Sequence, residues 1–219
     1  MRLRNISLIF ILFAGLPTAA LAQASSSASS KDSASGVSAQ SINLPKDIPV
    51  LAKLRTDLDT AGAEPNDSVE AELVEDLRSD HEVWLPKGTV LGGRVVGAQV
   101  FSSEDLKSVV SIVFDRVILR DGEQRAGNFR IQAIAPAEGS RIDAEVNPNI
   151  HVREIKAVVG PLDHKSVGAY NIRGVELQYV VTTKGVASLV TSTSGNVRLK
   201  KGMQIVFITT GQVVHNQGS

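Results

Sequence analysis

No stretch of this chain sustains the apolar spacing of a helix. Its hydrophobic residues come in short runs, and glycine- and proline-bearing turns cut the runs apart. A strand needs period-2 alternation, because successive side chains point to opposite faces of a sheet. Val69, Ala71 and Leu73 alternate with Glu70 and Glu72 in this way, although the composition of Ser68–Leu77 also permits a short helix. Further candidate strands are Ile48–Leu58, Glu82–Leu85, Thr89–Gln99, Lys107–Leu119 and Asn128–Ala135. Val175–Thr183, Ala187–Thr193 and Met203–Thr209 complete the set, with a weaker one at His151–Val159. Many short strands and no long amphipathic helix predict a mainly β fold, a single barrel-like or sandwich domain.

The chain has no cysteine, so disulfides cannot support the fold and a conventional core must do so. Aromatics are few, which leaves the core to Val, Ile and Leu and again favours strands. The strongest element is Lys107–Leu119. Val110, Ile112, Phe114 and Ile118 fall on one face, while Val109, Ser111, Val113 and Asp115 make the other face only partly polar. Such a strand is expected to be covered on both sides for part of its length. Asp121-Gly122 predicts a hairpin turn into Asn128–Ala135.

Pro86-Lys87-Gly88 is a turn signal. Gly88 supplies the positive φ that a type II turn requires. Gly92-Gly93 marks a bulge or a close backbone approach. The segments Leu85-Pro86-Lys87-Gly88 and Leu199-Lys200-Lys201-Gly202 share the pattern Leu-x-Lys-Gly before an apolar run. Two matches do not establish a repeat, and chance or common turn chemistry is the favoured reading.

At the N-terminus, Arg2 and Arg4 precede an apolar run from Ile6 to Leu16, and Ala20 and Ala22 supply small residues at a signal-peptidase site. Residues 1–22 are therefore expected to be a signal peptide, with Gln23 as the mature N-terminus. The run is too short to span a hydrocarbon core of roughly 30 Å. Residues 23–43, rich in serine and alanine, predict a disordered leader. The β domain is placed at 44–210 and a flexible tail at 211–219. Removing the signal shifts the formal balance from zero to about −2. A near-neutral chain has no electrostatic case for nucleic acid, and no integral membrane segment is expected after cleavage. The protein is expected to be exported, either periplasmic or secreted.

Chemistry-bearing constellations are hard to find. His81, His151, His164 and His215 are isolated, without the spacing of a metal site. No Gly-x-Ser-x-Gly elbow is present, and the glycine-rich stretch from Gly88 to Gly97 lacks a phosphate-binding continuation. Glu70, Glu72, Glu75, Asp76 and Asp80 read as a solvated strand face rather than an acid–base pair. Trp84 precedes the clearest turn, where it packs at the rim of the core or offers an interaction surface. Neither a catalytic residue nor a cofactor is assigned.

One resemblance goes beyond single residues. Arg55-Thr56-Asp57-Leu58 comes first, then Val69–Leu77, Leu85-Pro86-Lys87-Gly88-Thr89-Val90-Leu91-Gly92-Gly93 and Ile112-Val113-Phe114-Asp115-Arg116-Val117. This order resembles the periplasmic β-barrel module of TrbI-like conjugal-transfer proteins of type IV secretion systems, as found in small exported bacterial proteins. The resemblance implies a β-barrel and partners among other envelope proteins. The expected function is a non-catalytic interaction or structural β-module of the cell envelope. The alternative is a small-ligand binder or hydrolase with its site in the barrel mouth.

Overall fold

The computed structural model describes residues 41–143, 156–182 and 185–211. They lie in the second of two units, Ser38–Ser219; the first, Met1–Val37, falls outside them. Ala20, Ala22, Gln23, His151 and His215 are therefore outside the described residues.

Among those residues there is no helix, and fifteen strands follow one another. The first six are β1 (Pro49–Leu54), β2 (Leu58–Asp59), β3 (Ser68–Leu73), β4 (Leu77–Ser79), β5 (Glu82–Leu85) and β6 (Val90–Gln99). Then come β7 (Ser108–Ile118), β8 (Gln124–Ala135), β9 (Arg141–Asp143), β10 (Lys156–Val158) and β11 (Gly168–Ala169). The last are β12 (Val175–Thr182), β13 (Gly185–Ser192), β14 (Arg198–Leu199) and β15 (Gln204–Thr209). Six of them close a ring in the order β8–β15–β1–β3–β6–β7 and back to β8, with every pairing antiparallel. Of the two expected architectures, the chain adopts the closed barrel.

Alternation builds the wall. Val50, Ala52 and Leu54 of β1, and Val69, Ala71 and Leu73 of β3, are buried in one core, while Lys53 and Glu72 between them are exposed. At the centre, the Phe114 and Phe207 rings meet edge-to-face at 4.7 Å between centroids, and Phe129 meets Phe207 at 6.4 Å. Gly93 makes this packing possible. A Cβ there would stand 2.8 Å from the Phe114 ring.

The face expected for β7 needs one correction. Gly92 pairs with Arg116 and Gly93 with Phe114, so Asp115 is an extra residue in the ladder. This bulge resets the alternation. Val117 is buried in the core instead of Ile118, which is half-buried on the other side. Val113, on the outer face, is also buried, so β7 is covered on both sides there.

The β7–β8 hairpin closes with Leu119 donating to Glu123 O (2.9 Å) and Gly122 donating to Leu119 O (3.0 Å), with φ +87° at Gly122. Strand β8 starts at Gln124, before the expected Asn128, because its polar first residues pair with Ile118, Val117 and Arg116.

Every residue of β15 is buried, on both faces. A strap explains the outer one. Val159 and Leu162 pack on Ala133, Ala135 and Val206. The Gln204 side chain holds the strap by accepting from the Leu162 amide (2.9 Å) and donating to Gly160 O and Pro136 O (3.0 and 3.1 Å). The expected strand at His151–Val159 is, within the described residues, the three-residue β10 paired with β9.

Candidate functional site

The β12–β13 hairpin stands outside the barrel ring. Strand β13 pairs with β7 from Ser108 to Val113, and from Phe114 onward the same edge of β7 passes to β8. The hairpin is thus wedged into the seam between β7 and β8. There the buried Ser188 hydroxyl, opposite Ile112, accepts the Ile131 amide of β8 at 2.8 Å. Without that acceptor the amide would be a buried donor with no partner, which costs about 1–3 kcal/mol.

Strand β12 pairs with β13 on one side and with no other strand among those described. Its hydrogen-bonding direction is fixed at the base, where the Thr193 amide donates to Gly174 O at 2.8 Å. Antiparallel pairing alternates, so Glu176, Gln178 and Val180 bond to β13. The backbone groups of Val175, Leu177, Tyr179 and Val181 point away from it. Val175 and Leu177 pack against the core, and the residues that follow are exposed. Tyr179 is 54% exposed, Val180 49% and Val181 71%. Arg130 of β8 lies over the Tyr179 ring at 4.9 Å from its centroid, a cation–π contact that orients the tyrosine. The exposed half of β12 carries no charge, proline or bulge, the devices that usually blunt a sheet edge.

A cavity of about 390 Å³ lies beside the hairpin, lined by Pro65, Asn66, Arg94, Val113 and Ala187 among others. Its charge is already neutralised. Arg94 pairs with Asp115, whose other oxygen is 3.7 Å from Arg116.

The residues singled out in the sequence are scattered. Gly88 has φ +84° in a turn closed by the Thr89 amide donating to Pro86 O at 3.1 Å. Trp84 is half-buried against the core cluster. Glu70 is half-buried on β3. His164 Nε2 is 2.5 Å from Glu75 Oε1, which also accepts the Leu51 amide at 3.0 Å. His81 sits at the β4–β5 hairpin tip with φ +69°. No group of three or more His, Cys, Asp or Glu is placed to hold a metal among the described residues. No described helix is long and apolar enough to cross a membrane.

Carboxylates at the turns are held charged. The Lys87 amide and then Arg78 lower the Asp76 pKa below the ordinary range. The Ser166 hydroxyl, followed by the amides of Lys165 and Ser166, does the same for Asp163. Sequence reasoning placed Asp76 only within a solvated acidic strand face, and marked neither Asp163 nor the β12 edge. An uncharged Leu-Gln-Tyr-Val-Val run was the available signal for the edge, but in sequence it is indistinguishable from an inner strand.

No family model matches the chain, and no curated protein matches it. Among solved structures it is similar to ComB10 of the Com type IV secretion system of Helicobacter pylori. That match has 12% identity and a TM-score of 0.35, covering 77% of this chain and 88% of that one.

Proposed function

We propose that the protein is a non-catalytic interaction module of the bacterial cell envelope, and that its recognition element is the edge of β12 at Tyr179 and Val181, with which no described strand pairs. The observation that carries this reading is the outward backbone of Tyr179 and Val181, flanked by exposed Tyr179, Val180 and Val181 side chains. A strand edge recognises an extended segment through main-chain hydrogen bonds and takes specificity from alternate side chains. It needs no nucleophile, metal or cofactor. The export signal in the sequence and the resemblance to the TrbI-like barrel module support an envelope setting. The rival reading, a ligand in the barrel mouth, has to contend with Phe114, Phe129 and Phe207 at the centre of the barrel.

The test is capture of envelope proteins by the purified chain. Val181→Pro removes an outward amide and leaves the β12–β13 bonds intact, so it should abolish capture; Val181→Thr keeps the amide and should retain it. Equal capture by both variants would overturn the assignment of the edge. A turnover lost on His164→Ala or Glu70→Gln would overturn the non-catalytic reading.

A further inference from the structure

The turns at Lys87-Gly88 and Lys201-Gly202 are built alike, bond for bond. Thr89 donates to Pro86 O and Met203 to Lys200 O, each at 3.1 Å, and the two glycines have φ +84° and +86°. Gly88 donates to Leu73 O at the end of β3 (2.9 Å), and Gly202 to Leu54 O at the end of β1 (2.7 Å). The return bonds, Leu73 to Thr89 O and Leu54 to Met203 O, are both 2.9 Å. The Lys87 amide is accepted by Asp76 Oδ1 (2.7 Å) and the Lys201 amide by Asp57 Oδ1 (2.8 Å).

The correspondence continues along the wall. The five β1–β15 pairs from Pro49↔Ile208 to Lys53↔Gln204 run in step with the five β3–β6 pairs from Ser68↔Arg94 to Glu72↔Val90. Each outer strand then breaks register at the equivalent place, between Gly92 and Gly93 and between Val206 and Phe207. The entries match as well. Asn66 (φ +77°) donates to Val95 O, and Asp47 (φ +61°) donates to Thr209 O, both at 2.8 Å. Leu77 pairs with Leu85 as Leu58 pairs with Leu199. The sequence carries the same spacing, Val50-x-Ala52-x-Leu54-x-x-Asp57-Leu58 against Val69-x-Ala71-x-Leu73-x-x-Asp76-Leu77.

We infer that the barrel is an internally fused pseudo-dimer, made of two copies of one strand–hairpin–turn–strand unit. One copy is continuous from Ser68 to Val95. The other is split, with Pro49–Asp59 and Arg198–Thr209 flanking the rest of the chain, which enters at the tip of its hairpin. The surface where β1 meets β3 recognises its own copy. Ala52↔Leu73 and Leu54↔Ala71 exchange under the twofold, and Lys53↔Glu72 lies on it.

Divergence between the copies is complementary. The Phe207↔Ile131 pair in one corresponds to Gly93↔Phe114 in the other, so the two large rings meet across the axis without competing for one space. The same twofold maps Phe114↔Phe129 onto Ile112 opposite Ile131, a pairing the barrel does not make. Strand β13 stands there, with Ser188 opposite Ile112 and holding the Ile131 amide. The hairpin is what the duplicated barrel has gained at its seam, a point that rests on the recognition reading only for its functional meaning.

Residue transfer between the copies is the test. Pro86 and Lys200 are equivalent, and among the described residues the Lys200 amide donates to the Met203 sulfur alone, at 3.1 Å. In thermal unfolding of the exported chain, Lys200→Pro should raise Tm by about 1–4 °C through the entropy of the unfolded state. Lys201→Pro and Lys87→Pro each lose an amide bonded to aspartate, so both should lower Tm, by amounts that agree within about 2 °C. A loss of Tm in Lys200→Pro, or unequal effects of the other two, would overturn the duplication. None of these variants touches β12, so failure here leaves the capture test standing, and failure of capture leaves this one standing.

Discussion

At the scale of the residue, the core depends on a few large groups that each need a small neighbour. Phe114 fits because Gly93 offers no Cβ, and Val117 is close enough to Gly127 that a Cβ there would meet it at 2.9 Å. Truncating Phe114 to Ala removes a ring in contact with Phe207 and leaves a cavity at the barrel centre. The expected cost is about 3–5 kcal/mol in urea unfolding, and a value under about 1 kcal/mol would mean that the ring is not in the core.

Asp76 shows the electrostatic counterpart. The Lys87 amide and Arg78 favour its charged form in the folded chain, so its folded pKa lies below its unfolded value. The stability this contributes is present above the unfolded pKa and is lost as pH falls through the folded one. In Tm against pH, Asp76→Ala should be less stable than the parent at neutral pH, and the gap should narrow steadily in acid below the ordinary carboxylate range. A gap that stays constant with pH would assign the loss to something other than the charge.

At the scale of the element, the longer strands were legible, while the short β9, β11 and β14 and the interior detail of strands were not. Short apolar runs located β5, β6, β7 and β12 to within a residue, whereas the run Ser68–Leu77 overshot β3 by four residues, and Asp121-Gly122 announced the β7–β8 hairpin. The Asp115 bulge left no mark in the sequence. Alternation has no symbol for one extra residue, so Ile118 and Val117 were exchanged. The strap over β15 was hidden for a different reason. A strand covered on both faces is apolar throughout, and nothing in Gln204–Thr209 says that residues 159–162 supply the cover.

The β4–β5 hairpin invites a test at this scale. Its tip has Asp80 at φ +51° and His81 at φ +69°, two consecutive residues in the left-handed region. Such two-residue turns favour glycine in the second position. His81→Gly should therefore raise Tm, by an amount equivalent to about 0.5–1 kcal/mol. An unchanged or lower Tm would mean that the histidine makes a contact worth more than the backbone conformation costs.

At the scale of the whole molecule, the twofold was partly written in the sequence. The Leu-x-Lys-Gly match was visible but compatible with ordinary turn chemistry. The decisive repeat, Val-x-Ala-x-Leu-x-x-Asp-Leu at Val50 and Val69, lies so close to itself that it passes for simple strand alternation. Its two partner strands, β6 and β15, are separated by about half of the chain, and the register of Cα partners joins them. The seam was not legible at all. That β13 stands between β7 and β8 is a long-range choice, made by backbone pairing and by one buried hydroxyl on Ser188.

Amide hydrogen exchange along β12 reads, residue by residue, whether its outer edge is open to a further strand. In the isolated protein the amides of Gln178 and Val180, bonded to β13, should be protected, while those of Tyr179 and Val181 exchange freely. A captured partner should then protect Tyr179 and Val181 and leave Gln178 and Val180 little changed. Strong protection of all four amides in the isolated protein would contradict the account, because the edge would already be covered.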